Sequence, residues 1–410
     1  MASLSFPSRF LFGTATSATQ IEGRCDTSDW YRFAKEPGRI RNGDTPDGAC
    51  DSFRRWREDI ALQREMGMGS YRMSIEWARI EPRPGEIDHG SLDEYRRMLG
   101  GLRDSGIEPM VTLHHFTLPS WLADRGGLLA EGFVDRLAGF AKIAVDALGD
   151  ACRLWITINE PNVLAAHAYL LGVWPPAIKS PRLAWRAQKV LLQAHDAAYR
   201  VLKEARGDAV QVGVAHHLRA IEPERPGLRR DRAAAALFAR VFNDAFAQAA
   251  IDHGTQDFLG INYYSRDLVR FSPRHAGELF VSRSVPPGAE VSDLGWEIYP
   301  RGLGRVVREW ARRSGLPVYI TENGIADARD TRRAAFIAAH LAELASAIAD
   351  GVDVRGYFHW SLLDNFEWAE GYAPRFGLVR MDYATGERSI RESARSYARI
   401  ARERTVTPAP

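Results

Sequence analysis

Eight short apolar segments recur along the chain, each followed by a stretch of different periodicity. The segments are 10–16, 70–75, 107–113, 153–158, 211–215, 257–264, 318–321 and 354–361. They are rich in β-branched and aromatic residues and bounded by Gly, Pro or Asn, which marks them as strands. Between them, 51–66, 91–104, 132–148, 180–206, 229–250, 301–314 and 331–350 carry apolar residues at helical spacing. Strands that alternate with helices form a parallel sheet with right-handed crossovers. Eight such units predict an α/β fold closed into one (β/α)8 barrel over residues 1–410. The last ten residues are expected to fray, and 265–300, with Pro-Pro and several Gly, reads as a long irregular connection.

Right-handed crossovers bring the C-terminal ends of all strands to one face. Those ends carry Gln20, Arg72, His115, Asn159 with Glu160, Asn262 with Tyr264, Glu322 and Trp360. Polar groups at one end of apolar strands mark the mouth where barrel active sites lie. The bulk properties exclude other roles. Net charge is +2, so neither nucleic acid nor an anionic membrane is an expected partner. No apolar stretch is long enough to span a bilayer, and residues 1–10 lack the pattern of a secretory signal. The three cysteines, Cys25, Cys50 and Cys152, form no disulfide framework. A cytoplasmic location is the expectation, and the oligomeric state is left open.

Segments 154–162 and 316–324 share one design, an apolar strand that ends in a carboxylate, Glu160 and Glu322. A strand buried on both faces tolerates a charge only at its end. Two carboxylates across one polar pocket suit glycoside hydrolysis, which needs an acid and an anionic partner around an oxocarbenium-like transition state. In a retaining mechanism they stand about 5–5.5 Å apart. There is no Gly-x-Ser-x-Gly elbow and no phosphate loop. His114-His115 and His216-His217 are adjacent on strands, so each pair offers at most one inward ring. No metal and no other cofactor is expected.

Thr157-Ile158-Asn159-Glu160-Pro161 and Ile320-Thr321-Glu322-Asn323-Gly324 resemble the two signature segments of glycoside hydrolase family 1, the retaining β-glucosidases and β-galactosidases. Residues 10–23, 71–80, 260–264 and 358–368 extend the resemblance over nearly the whole chain. It implies a retaining exo-β-glycosidase acting on a small β-glycoside or short oligosaccharide, with glucose the expected glycone and galactose or fucose tolerated. A transglycosylase and a silent sugar-binding barrel are the alternatives. The resemblance makes Glu322 the nucleophile and Glu160 the acid/base, with Glu160 raised in pKa and Glu322 kept ionised by Arg72 and Tyr264. Asn159 and Asn262 complete the support, with Asn159 on the sugar 2-hydroxyl. Gln20, His115, Glu367 and Trp368 are implied at the other hydroxyls, Trp360 as a stacking floor, and Phe376 near the 6-position.

Three departures stand out. His115-Phe116-Thr117 replaces the usual His-Trp-Asp, which removes an indole N–H and leaves glycone preference open. Gly172-Val173-Trp174-Pro175-Pro176 is expected to shape the aglycone side. The connection from 250 to 257 is short, which either opens the pocket or loosens its surroundings. Glu367, as a carboxylate, is expected to repel a 6-phosphate.

Overall fold

A computed structural model describes residues 3–407. Eight parallel strands close into a barrel. In spatial order they are Leu11–Ala15, Ser70–Ser74, Glu108–His114, Leu154–Asn159, Gln211–His217, Phe258–Asn262, Val318–Asn323 and Val354–Trp360, which pairs back to the first. This is the expected order, with ends within a few residues of the expected ones. The lumen is filled by Ala15, Met110, Leu154, Ile156, Ala215, Phe258, Tyr319 and Phe358. Their packing makes the barrel a solid core, so ligands are confined to its ends.

The helices follow from their apolar stripes. Phe133–Leu148 buries Phe133, Leu137, Phe140, Ala144, Val145 and Leu148, one face at three- and four-residue spacing. The long helix Pro181–Arg206 starts on Ser180, whose Oγ accepts from the Leu183 amide at 3.3 Å, with Pro181 in the first turn.

Two expectations are corrected. The 265–300 stretch is not wholly irregular. Arg266–Phe271 pairs antiparallel with Val281–Ser284 and parallel with Ala220–Pro223, a small sheet outside the barrel. Its strands mix polar and charged residues with apolar ones and are only partly buried, so they lack the continuous apolar run of a barrel strand. The expected fraying of the last ten residues is also corrected in part. A helix ending the chain near 400 is expected and found, Glu392–Glu403, but it runs on into the last ten residues, and Thr405–Val406 pairs antiparallel with Leu4–Ser5. Residues 408–410 lie outside the described residues.

The short 250–257 connection closes tightly. The helix before it ends at Asp252, and Asp196 accepts from Thr255 Oγ1 and pairs with His253 Nδ1, both at 2.8 Å. These bonds tie the connection to the helix Pro181–Arg206, away from the barrel mouth.

The loop after the last strand carries several mouth residues and is anchored from below. Asp364 is fully buried, and Arg391 grips it with two bonds of 2.9 Å. The Gly377 amide adds a third bond at 2.9 Å. Removing one partner of such a pair strands a buried charge. Asp364→Ala is therefore expected to cost about 3–5 kcal/mol, read as a lowered urea midpoint. A change under about 1 kcal/mol would mean that the fork does not hold the loop.

Candidate active site

Asn159 and Glu160 are neighbours in sequence, yet both reach the mouth. Regular alternation would send one of them outward. The pairing register of the strand Leu154–Asn159 shifts between Ile156 and Asn159, and Glu160 takes a left-handed backbone, φ 40°. A bulge and a positive φ re-aim consecutive side chains to one side. Glu160 also opens the short helix Pro161–Ala165, with proline in its first turn. The strand Val318–Asn323 repeats the device, with a register shift between Ile320 and Glu322. Thr321 then reaches Asn262, Oγ1 to Oδ1 at 2.6 Å, while Glu322 enters the cavity. Gly324 follows against the carbonyl of Trp360, where a Cβ would stand 1.8 Å from the oxygen. Only glycine permits that approach.

The two carboxylates line one cavity of about 710 Å³ at the mouth. Arg72, fully buried, donates from Nη1 to Glu322 Oε1 and from Nη2 to Asn159 Oδ1, the latter at 2.6 Å. Tyr264 donates its hydroxyl to Glu322 Oε2 at 2.6 Å. Asn262 Nδ2 donates to Asn159 Oδ1 at 3.1 Å and to Glu160 Oε1 at 2.9 Å. Asn159 in turn donates to His115 Nε2 at 3.2 Å, which leaves its second amide hydrogen for a ligand. Arg72, Asn159, Asn262 and Tyr264 thus form one connected frame around both carboxyls.

The remaining residues singled out in the sequence also converge here. Gln20, His115, Trp360, Glu367, Trp368 and Phe376 all line the same cavity. The rings of Trp360 and Trp368 lie nearly parallel to His115, at 19° and 18°. Gln20 is held by Ser17, which donates to its Oε1 at 2.6 Å, and donates to the Phe366 carbonyl at 2.9 Å. Phe116 packs on Trp174 and Trp368, with centroids 4.9 and 5.2 Å apart. Val173 and Trp174 do line the cavity, and no residue of 250–257 does.

Electrostatics depart from the sequence expectation. Glu322 is pushed up to about 7, first by burial, against the charge of Arg72, and then by the facing Glu160. Burial would raise Glu160 too; against it act His217, by its hydrogen bond and by any charge on its ring, then the hydrogen bond from Asn262 and the charge of Arg72. The sequence expectation had Glu160 as the raised group; burial raises Glu322 as well, and donors that favour an anion converge on both carboxyls. Two carboxyls that act on each other in this way titrate as a pair, whose apparent values belong to both. Burial, aided by Glu322 and Glu160, also pushes Glu367 up to about 8.

His217, Arg219 and Trp296 also line the cavity and were not singled out as site residues in the sequence. His217 was visible only as one of two adjacent histidines. The strand turns it inward to Glu160, while His216 bonds Gln256 at 2.8 Å.

Among the described residues no helix is long and apolar enough to cross a membrane. The chain is 36% identical to beta-glucosidase A of Thermotoga maritima over 97% of this chain and 98% of that one. It is 31% identical to a beta-galactosidase of Pyrococcus woesei over 96% of each. A solved beta-glucosidase from Thermotoga maritima in complex with glucoimidazole superposes with a TM-score of 0.92 at 34% identity, over 98% of this chain and 99% of that chain. The model of glycosyl hydrolase family 1 matches residues 2–254 and 247–406. With the barrel, the paired carboxylates and this match over the whole length, the chain belongs to glycosyl hydrolase family 1.

Proposed function

We propose that this protein is a retaining exo-β-glycosidase with glucose as its main glycone. The observation that carries the reading is the pair Glu160 and Glu322 on one cavity, each held by its own donors. Glu322 attacks the anomeric carbon while Glu160 protonates the departing glycosidic oxygen, which leaves a glycosyl ester on Glu322. Glu160, now a carboxylate, takes a proton from water as the water attacks the same carbon and releases Glu322. Two inversions at one centre retain its configuration.

The cavity's shape supports action at a chain end. Gln20, His115, Trp360 and Trp368 line it as buried residues and Glu367 as a half-buried one, a setting suited to enclosing one terminal sugar. Its rim carries Val173 and Trp296, 43% and 38% exposed, suited to an apolar or sugar aglycone. In this reading Asn159, whose amide gives one hydrogen to His115, gives the other to the sugar 2-hydroxyl. The three cysteines are unpaired, which supports the cytoplasmic location read from the sequence.

A panel of nitrophenyl glycosides tests the reading. The β-glucoside is expected to turn over fastest, with galactoside and fucoside slower, and NMR is expected to show the β-anomer first. First release of the α-anomer, or no turnover of any β-glycoside, would sink the proposal.

The pH dependence follows from the pair. The productive form holds one proton over the two carboxyls, on Glu160, with Glu322 ionised. Burial pushes Glu322 up to about 7, so the pair is expected to lose its last proton in that range. As pH rises through about 7, kcat/KM is expected to fall tenfold per unit. On the acid side it falls when a second proton neutralises both groups, a step that the donors on Glu160 Oε1 oppose. A pH–kcat/KM profile that stays flat to pH 9 would contradict the pairing.

A further inference from the structure

His217 meets Glu160 in a chain of contacts that starts three side chains away. Asp267 Oδ2 accepts from Arg219 Nη1 at 3.0 Å. Arg219 Nε lies 2.9 Å from His217 Nε2, and His217 Nδ1 lies 2.7 Å from Glu160 Oε1. The His217 ring is 7% exposed and stacks on Tyr264, with centroids 5.9 Å apart and planes at 17°.

The chemistry of these atoms admits one arrangement. Guanidinium nitrogens only donate, and arginine stays protonated in proteins. Nε2 of His217 must therefore accept, so the ring is neutral and its hydrogen is on Nδ1. Nδ1 then donates to Glu160 Oε1, which also accepts from Asn262 at 2.9 Å. With Oε1 occupied by two donors, Oε2 is the oxygen left to carry a proton.

We propose that His217, locked as a neutral donor by Arg219 and Asp267, is a positioning residue that puts the catalytic proton of Glu160 on Oε2 and stabilises the carboxylate left when that proton is given away. The inference rests on Glu160 being the acid/base. A strong acid with its proton aimed at one point protonates a poor leaving group better than a weak acid that can hold the proton on either oxygen.

The other charged neighbours do not supply this contact. Arg72 and Tyr264 spend their donors on Glu322 and Asn159. Glu322 and Glu367 face Glu160 as acids. His167, on the turn beyond the helix Pro161–Ala165, bonds the Val163 carbonyl at 3.0 Å and is kept neutral by burial, lowered to about 4.

The test measures kcat/KM over pH and over aryl glucosides of graded leaving-group acidity, with cellobiose at the poor end. His217→Phe keeps a ring against Tyr264 but removes the donor. Cellobiose hydrolysis is expected to fall at least tenfold while the dinitrophenyl glucoside changes less than threefold. Losing a donor to the anion raises the sum of the pair's two apparent pKa values by about one unit, so the bell's centre moves up by about half a unit. His217→Asn, whose Nδ2 can stand where Nδ1 stood, is expected to recover most of both. A purely structural role would lower all substrates alike and leave the bell in place, and that result overturns the proposal. If His217→Phe does not fold, Arg219→Met keeps the ring and frees Nε2. It must show the same selective loss in smaller measure, and a wild-type profile there also overturns the proposal. Glu160→Gln serves as the control. If it hydrolyses cellobiose as the wild type does, the acid/base assignment has failed rather than the role of His217.

Discussion

Glu322→Ala is expected to reduce turnover of every β-glycoside by on the order of 10⁴-fold or more. The substitution removes the atom that forms the bond to the anomeric carbon, and no other carboxylate is placed to replace it. Glu160 bonds His217 and Asn262 on its own side of the cavity, and Glu367 lies with Gln20, which donates to its Oε2 at 3.4 Å. The variant is expected to fold, because Arg72 retains Asn159 Oδ1 and the Thr321 carbonyl as acceptors, at 2.6 and 3.1 Å. Added azide should enter the space vacated by the carboxylate. With a good leaving group it displaces the aglycone from the opposite face and gives an α-glycosyl azide. Detection of that product identifies the face from which Glu322 attacks. Residual activity above one part in a hundred with no azide product would remove Glu322 from the mechanism.

Glu160→Gln separates the two halves of the reaction. The amide retains much of the shape but can neither give nor take a proton. A dinitrophenyl leaving group departs without help, so glycosylation is expected to proceed near its normal rate. Release then lacks its base, and the glycosyl-enzyme accumulates. The expected record is a burst of one equivalent of dinitrophenol followed by a steady state lowered by 10²–10⁴-fold. Cellobiose, which needs the acid, should lose activity from the first step. Azide needs no base and should restore turnover, this time giving the β-glycosyl azide. A mutant with no burst and no azide rescue would show that Glu160 has another role.

These two outcomes bear on how the pair shares one proton, since burial pushes Glu322 up to about 7 and donors on Oε1 favour Glu160 as an anion. The two microstates of the singly protonated pair differ only in which carboxyl holds the proton. A bound sugar that engages Glu322 favours its ionised form and moves the proton to Glu160, the state the first step uses. Once Glu322 is esterified its charge is gone, and the donors on Oε1 hold Glu160 as the anion required of a base.

Much of this architecture could be read before any coordinate was seen. Each barrel strand is a short apolar run between turn residues, and each helix has its own stripe, so both signals are local. Strand and helix alternation then admits few topologies, and right-handed crossovers place all strand ends on one face. Glu160, Glu322, Arg72 and Asn159 were therefore assignable to one mouth from the chain alone. Arg266–Phe271 and Val281–Ser284 were not legible as strands, because a surface sheet needs no continuous apolar run. Trp174 was legible only as part of a Pro-rich loop, and its stacking on Phe116 depends on where that loop lands.

The sequence by itself determined the barrel, its eight units and the identity of the groups at its mouth, because those depend on periodicity and short-range turn chemistry. Tertiary structure decided how those groups act on one another. The bulges that turn Asn159, Glu160 and Glu322 inward, the donors that converge on both carboxyls, and the line from Asp267 to His217 all join residues tens to hundreds of positions apart. A pKa or a proton's position is set by the sum of the charges and dipoles within a few ångströms. That sum exists only once ring closure has brought distant strands side by side.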